Sequence, residues 1–441
     1  MLIQCIVLTT TLLIAPAEGG PTGESLRKNH PCEEANAMLR AEVLRLVRQL
    51  DAPQLARRDA AEAELMQRGP AILDVLPTNT ERMSAEVQQR LDRVRQKLQR
   101  QAADAAARSS TITLHENAMP LSKVIGALAK QSGNAIADNR QARGQPVSDP
   151  AIQVNFDKTP FWPALDRVLD QAGLTLYLFA EQPGLSVVAA SAQANGQRAA
   201  RACYAGPLRI EPVEVLARRD LRLKAAGLLT LGVEIAWEPR LRIIGLTQRM
   251  ADVRALDDHG RTLAAIDSQA VLELPISGNG SAVKLDLPLR LPPRGVQRIS
   301  SLRGTLAAMI PGKTETFRFD KLSAAKNVEK RIAGVTVTLE EVAKSNNAWE
   351  VRMKARFDDA GDAMASHRNW VFTNPAFLEG PDGKPIAYDT FETTAQEKNE
   401  VGIAYLFTLD KPLDQWTFVY KTPGTIVTSE FPYEFKDIAL P

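Results

Sequence analysis

Pro311-Gly312-Lys313-Thr314 ends like a phosphate-binding loop. A complete loop places another glycine where Ala307 stands and follows the lysine with a helix whose N–H groups face the phosphate. Here Glu315-Thr316-Phe317-Arg318-Phe319 alternates as a strand, so the tetrapeptide reads as a turn between two strands. Gly278-Asn279-Gly280-Ser281 offers a serine in a tight turn but not the Gly-x-Ser-x-Gly elbow of a nucleophile, and it reads as a hairpin. Asp358-Asp359-Ala360-Gly361-Asp362 gathers carboxylates around a glycine, as a Ca²⁺ loop does. No bidentate glutamate follows at the required distance, which leaves a solvated turn. His30, His115, His259 and His367 are scattered singly, and Cys32 and Cys203 have no Cys or His neighbour, so no zinc site is expected.

Trp237-Glu238-Pro239-Arg240 links two strand-like runs. Its plain reading is a buried indole with a bend enforced by Pro239. The rival makes Trp237 part of a sugar-stacking platform with Trp349, Trp370 and Trp416. Each of those three lies in an apolar-alternating run, and aromatics make up only 5% of the chain, so core packing is expected. No catalytic residue, cofactor ligand or metal ligand is assigned, no cofactor is expected, and the chain reads as a non-enzyme. Which residues would meet a partner stays open.

The elements that carry these residues fill 441 positions, too many for one core, and about three domains are expected. A net charge of +2 lacks the concentrated basic signal of a nucleic-acid binder. Leu2 to Ile14 is apolar but too short to span a bilayer, and Ala15-Pro16-Ala17 follows as a small-x-small cleavage pattern, although no positive residue precedes the run. Export is the reading, with retention of the segment as an anchor as the alternative. An oxidising compartment would permit a Cys32–Cys203 disulfide, which the spacing leaves undecided.

A polar tail, 18–34, leads to a helical region at 35–108. Met38, Leu39, Val43, Leu44, Leu46, Val47 and Leu50 form one stripe. Asp51 and Pro53 read as the start of a second helix, Ala71 to Leu76 as a short one, and Ser84 to Ala107 as a longer one. Residues 109–190 read β-α-β-β-α-β-β: Thr111–His115, a helix with Leu121, Val124, Ile125 and Leu128, Ala135–Ala137, Ile152–Phe156, a helix capped by Thr159 with Phe161, Trp162, Leu165, Val168 and Leu169, then Leu174–Phe179 and Leu185–Ala189. This order predicts one compact sheet covered by two helices. Beyond a connector come strand-like runs from Pro207 to Tyr420, among them Leu241–Leu246 and Asn369–Phe372, spaced as in antiparallel β-sandwiches. Their length argues for two, divided near Lys321 to Lys330.

Two resemblances attach to these segments. Leu55-Ala56-Arg57-Arg58-Asp59-Ala60-Ala61-Glu62-Ala63-Glu64-Leu65 with Gly69-Pro70-Ala71 resembles the HEAT-like helical hairpins of exported bacterial proteins, which implies a cap or spacer, not an array. Pro120-Leu121…Leu128…Gly133 and Pro160…Ala164-Leu165…Leu169…Gly173 look like the repeated halves of the short N-terminal domain of secretins and TonB-dependent receptors. That resemblance implies a module that docks envelope partners and carries no catalytic residue. No barrel-like pattern follows it, which sets the chain apart from both families.

The expected protein is thus multidomain α+β: signal peptide 1–17, tail 18–34, HEAT-like region 35–108, α/β module 109–190, linker 191–204, and β-sandwiches at 205–325 and 326–441. It would dock envelope proteins in the periplasm or cell envelope, touch the membrane only through partners, and bind no nucleic acid. Glycan or small-ligand binding by the sandwiches is the alternative, and a hydrolase without a recognisable motif the remote third.

Overall fold

The computed structural model describes residues 30–77, 82–179, 184–191, 201–219, 222, 227–276, 280–345, 348–358, 369–397, 399–409 and 412–441. The expected signal peptide, residues 18–29 of the tail, Gly278-Asn279, Asp359 to Asp362 and most of the 191–204 linker lie outside them, whereas residues 30–34, expected in the tail, already belong to a helix. The chain is mixed α+β and mostly strand, with several antiparallel sheets. It divides into two compact units at Gln88/Gln89.

The first unit holds α1 (His30–Gln49), α2 (Leu55–Gln67), a 3-10 turn at Pro70–Ile72 and the start of α3 (Ala85–Ala106). Helices α1 and α2 pack together, with Val43, Leu46, Val47, Ala61 and Leu65 buried, whereas Met38 and Leu44 of the expected stripe are exposed. Asp51 does not cap α2. The helix starts four residues later, at Leu55, after Gln54 with no side-chain cap, and Asp51 accepts the Ser84 hydroxyl at 2.9 Å. Residues 71–76 form the 3-10 turn and bends, not an α-helix.

In the second unit, residues 111–189 are built from two matching halves. β1 (Thr111–Pro120) leads into α4 (Leu121–Ser132), and β3 (Ala151–Pro160) leads into α5 (Phe161–Ala172). Each half is a ten-residue strand and a twelve-residue helix, closed by a glycine in the left-handed region, Gly133 (φ 73°) or Gly173 (φ 65°). Glycine is the residue that takes this helix-ending conformation without steric cost. Each helix also sends one glutamine back to its own strand. Gln131 accepts from Thr113 N (2.9 Å) and donates to Thr113 O (3.0 Å), and Gln171 treats Gln153 in the same way (3.2 and 3.0 Å).

The element order is the expected one, completed by β2 (Ile136–Asp138), β4 (Leu174–Tyr177) and β5 (Leu185–Ala189). The strands nevertheless form two sheets, not one: an antiparallel β1–β3 ribbon and a separate β2-β5-β4 sheet. Thr159 does not cap α5; the strand continues through Pro160, and Phe161 N donates to Ser110 O at 2.9 Å. Both helices feed one core, in which Phe161, Trp162, Leu165, Val168 and Leu169 are all buried.

The C-terminal strands form two further pairs of sheets. The first pair joins the sheet β13-β8-β7-β6 to one built on β14. Its members are β6 (Cys203–Ala205), β7 (Leu208–Arg219), β8 (Gly227–Trp237) and β13 (Ala282–Arg290) on one side. On the other stand β9 (Gly245–Arg249), β10 (Arg254–Asp257), β11 (Thr262–Leu263), β12 (Val271–Pro275), β14 (Arg298–Pro311) and β24 (Ile426–Ala439). Alternate residues of the two sheets share one apolar core.

The second pair comprises β15 (Thr314–Phe319), β23 (Thr417–Pro423), β19 (Ala376–Glu379) and β20 (Pro385–Ala387) in one sheet. The other contains β16 (Lys326–Ile332), β17 (Val335–Ser345), β18 (Ala348–Phe357), β22 (Glu400–Phe407) and β21 (Thr390–Gln396). These enclose a second core, rich in aromatics.

Strand pairing groups these residues otherwise than a cut at 325/326 would. β15 already pairs with β23, and β24 returns to pair with β14 from Pro311↔Ile426 to Arg298↔Ala439. The second pair of sheets is therefore inserted between two strands of the first. Two of the expected strand runs change character. Leu241–Ile244 turns before β9, with Leu241 N donating to Glu238 O at 2.8 Å, and Asn369–Phe372 is a helical turn, α6.

Gly304 sits opposite Tyr433 in the β14–β24 ladder, and a Cβ there would lie 2.8 Å from Tyr433 Cε1 and closer to Cζ and Oη. Tyr433 is 4% exposed and donates to Gln248 Oε1 at 2.9 Å, so its ring has little room to move. Gly304→Ala is expected to destabilise the chain by about 1–3 kcal/mol through overpacking. The loss should vanish in a Tyr433→Ala background, as read by urea unfolding of the four proteins of the cycle; an unchanged loss there would exclude the ring as the cause.

Candidate functional site

Two buried carboxylates of the second unit tie separate elements together. Asp166, on α5, is wholly buried and accepts from Arg209 Nε on β7 (2.8 Å) and from Tyr204 Oη on β6 (2.7 Å). Arg209, 3% exposed, also donates from Nη1 to Glu211 at 2.7 Å. Burial disfavours the Arg209 charge, but Asp166 and Glu211 outweigh it and hold the guanidinium more firmly protonated than usual. Burial, and then the Asp166 charge, push the Tyr204 phenol well above its ordinary value. Beside this node, Trp162 Nε1 donates to Pro207 O at 2.8 Å.

Glu238, also wholly buried, follows β8. It accepts from Ser110 N (2.9 Å) and Oγ (2.6 Å), from Asn134 Nδ2 (3.1 Å) and from Arg240 Nε (2.6 Å). Arg240 also donates to the carbonyls of Ala106 (3.3 Å) and Arg108 at the end of α3. A third node stands where β14 passes into β15. Glu315, 4% exposed, accepts from Gln99 Nε2 (2.6 Å) and lies 3.9 Å from Arg95, both on α3. Burial raises the Glu315 carboxyl above its ordinary range and lowers the Arg95 guanidinium, each opposed in part by the other's charge.

The tryptophans singled out by sequence separate into two groups. Trp237 and Trp370 line one cleft of about 420 Å³, together with Leu241, Ile243, Ile244 and Ile276. Arg242, exposed and without an ion-pair partner among the described residues, Ser281 and Thr373 add polar atoms. A cleft this size, apolar with a few polar groups, can hold a small ligand. The ring faces are nonetheless committed elsewhere. Trp237 is 2% exposed within the first C-terminal core, and Trp370, 7% exposed, stacks edge-on against Phe357 at 5.2 Å. Trp416 is buried in the second core, and Trp349 is half-buried on β18, away from this cleft.

Pro311-Gly312-Lys313-Thr314 is the passage from β14 to β15, where Gly312 N donates to Thr425 O at 2.6 Å and no helix follows. His115 Nδ1 pairs with Asn155 Oδ1 at 2.7 Å. Asp257, Asp258 and His259 come within 4.8 Å of one another, but their carboxylates are engaged by the turn itself. Asp257 accepts from the backbone of His259 and Arg261 and from the Arg261 side chain, and Asp258 from Gln297 N. Cys203 is a free, half-buried thiol.

No family model matches the chain, and searches of curated proteins and of solved structures returned no match. No described helix is long and apolar enough to cross a membrane.

Asp166→Asn should destabilise the second unit by about 1–3 kcal/mol, because it leaves the buried Arg209 guanidinium with Glu211 as its one remaining charge partner among the described residues. The double variant Asp166→Leu/Arg209→Met should recover most of that loss; a double variant as weak as the single one would show that packing, not charge, is at stake. Glu315 behaves differently. Its carboxyl titrates above the usual range when folded, so its stabilising contribution is complete below the ordinary glutamate value and is lost as pH rises through the raised one. The stability advantage of the native chain over Glu315→Gln should therefore shrink as pH rises across that window, in denaturant melts run at successive pH values.

Proposed function

We propose that this is an exported interaction protein of the cell envelope or periplasm, which docks protein partners through its α/β module and its β-rich half. The observation that carries the reading is the doubled strand–helix unit of residues 111–172, with matched lengths, left-handed glycines and glutamine clamps. It supports the resemblance to the short N-terminal domain of secretins and TonB-dependent receptors, a docking module. The outer face of its β1–β3 ribbon exposes Thr113, His115, Gln153, Asn155 and Asp157, a polar surface suited to a protein partner. In this reading the two pairs of C-terminal sheets are β-sandwiches, the helices of 35–108 are a HEAT-like spacer, and residues 1–17 are a signal peptide. The buried nodes at Asp166 and Glu238 would then hold the module at a fixed angle to the first sandwich.

The second reading, a small-ligand or glycan binder, is favoured by the cleft between Trp237 and Trp370. The near-complete burial of both indoles makes it the weaker one.

A photo-reactive residue at Asp157 in the exported full-length chain should give reproducible adducts with envelope proteins, and a Thr113→Arg/Gln153→Arg variant should lose them. Adducts that survive that variant would remove the ribbon from the docking surface. Binding of the purified protein to a glycan array, abolished by Arg242→Glu, would favour the second reading. Intact mass of the exported chain should correspond to a start at Glu18, and recovery of the uncleaved chain from the cytoplasm would end the export reading.

A further inference from the structure

Strand β7 is left half-paired. Eleven of its twelve residues pair with β8 on one side, Val213 being skipped at a bulge, but on the other side β6 covers only Leu208, Arg209 and Ile210. From Glu211 to Arg219 that edge meets no partner strand among the described residues. β24 pairs with β14 along its whole length and likewise has no strand on its far side among the described residues. Both edges contain a proline, Pro212 and Pro432, a residue confined within sheets mainly to edges and bulges.

A groove of about 740 Å³ lies between these edges, from Pro212–Val215 to Glu434–Ala439, and is closed at its β6 end by Arg201, Ala202 and Cys203. A hollow of about 360 Å³ follows, from Ala217 and Arg219 to Leu440 and Pro441. Residue numbers rise together along the two strands, so β7 and β24 run in the same sense past the groove. A strand antiparallel to β7, in line with β6, would therefore also run antiparallel to β24. Val213 and Leu216 on β7 are 43% and 54% exposed, large apolar side chains that such a strand would cover.

The charge of the groove selects its occupant. Its three acids are already neutralised: Glu214 by Lys284 (2.6 Å), Glu434 by Arg303 (3.1 Å) and Asp437 by Arg298 (3.5 Å). Lys436 and Arg294, which line the groove and the hollow, have no ion-pair partner among the described residues, and Arg219 donates only to Pro292 O at 3.4 Å. The unanswered charge is positive.

We infer that this groove receives an extended acidic segment of a partner polypeptide, which adds as a strand to the β7 edge antiparallel to it. Backbone hydrogen bonds to Glu214–Arg219, past Pro212, which has no N–H, and the Val213 bulge, would supply the affinity, apolar side chains would rest on Val213 and Leu216, and carboxylates would face Lys436 and Arg294. The inference rests on the reading of the chain as a docking protein and names one of its surfaces.

The test uses the full-length chain and three capped decapeptides: alternating Glu/Val, alternating Lys/Val, and Glu/Val with alternate amides N-methylated. Fluorescence anisotropy should show the Glu/Val peptide binding at least tenfold more tightly than the other two. Hydrogen exchange should show new protection at residues 214–219. Lys436→Glu/Arg294→Glu, at exposed positions, should weaken Glu/Val binding and strengthen Lys/Val binding, while the circular dichroism spectrum stays unchanged.

Equal binding of the N-methylated peptide would overturn strand addition, and equal binding of the Lys/Val peptide would overturn the charge assignment. Concentration-dependent protection of 214–219 without peptide would assign the edge to a second copy. Protection there in dilute chain, lost on deleting residues 192–200, would assign it to the chain's own connector. Each of these four results excludes the proposal. Binding with protection only on β1–β3 would sink the groove while leaving the docking reading intact.

Discussion

A carboxylate with no access to water must be answered by charge or by several donors, and Asp166 is the place where this rule binds the molecule together. An unpaired ion there would cost several kcal/mol, so the α5 face that carries it is stable only against Arg209 and Tyr204. Both belong to β6 and β7, outside the doubled strand–helix unit. Apolar packing crosses the same seam: Ala236 belongs to the module's core, with Tyr204 and Ala282 packed on it. Cut free at residue 190, the module would expose Asp166 and leave Trp162 Nε1 without its acceptor. The second carboxylate, Glu238, fixes the opposite end by gathering Ser110, Asn134 and Arg240, so module, β8 and the end of α3 meet at one side chain.

This arrangement explains what was legible in the sequence and what was not. The halves of the module could be read because helix periodicity, Pro120 and Pro160 at the strand–helix junctions, and Gly133 and Gly173 at the helix ends are local signals. Which strands pair is not a local property, and the expected single sheet is in fact a ribbon and a three-stranded sheet. Asp166 follows Leu165 in an amphipathic helix, where an aspartate ordinarily faces water; its partner lies 43 residues away. In Trp237-Glu238-Pro239-Arg240 the indole is the conspicuous residue, while the glutamate does the joining. A signal did exist there, an acid between a tryptophan and a proline with an arginine two residues on, but it names no partner.

β24 is hard to read from the sequence for a related reason. Phe431, Tyr433 and Phe435 alternate as a strand should, yet Pro432 argues against a central strand. The structure reconciles the two, since β24 has a neighbour on one side only among the described residues. The Trp237–Trp370 cleft was unreadable in another way. Its two indoles stand 133 positions apart and meet because residues 314–423 are folded between β14 and β24.

That insertion leaves two chain crossings side by side, Pro311-Gly312-Lys313 going out and Pro423-Gly424-Thr425 coming back, joined by Gly312 N to Thr425 O and Gly424 N to Lys313 O. Both glycines face Gln99 of α3: a Cβ at Gly424 would lie 2.6 Å from its Oε1, and one at Gly312 3.2 Å from its Cβ. Gln99, wholly buried, has its amide donor on Glu315, just past the outgoing crossing. At this crossing the two passages satisfy each other's peptide groups, and Gln99 meets them side chain to side chain through Glu315, with its own Oε1 left unpartnered among the described residues. The same helix reaches the returning β16–β17 turn, where Asp92 accepts from Arg331 Nε (2.9 Å) and from Ala333 N. Buried polar contacts on α3 thus sit where the inserted sheets begin: Gln99 answers the Glu315 side chain beside the crossing, and Asp92 answers the Ala333 peptide in the β16–β17 turn.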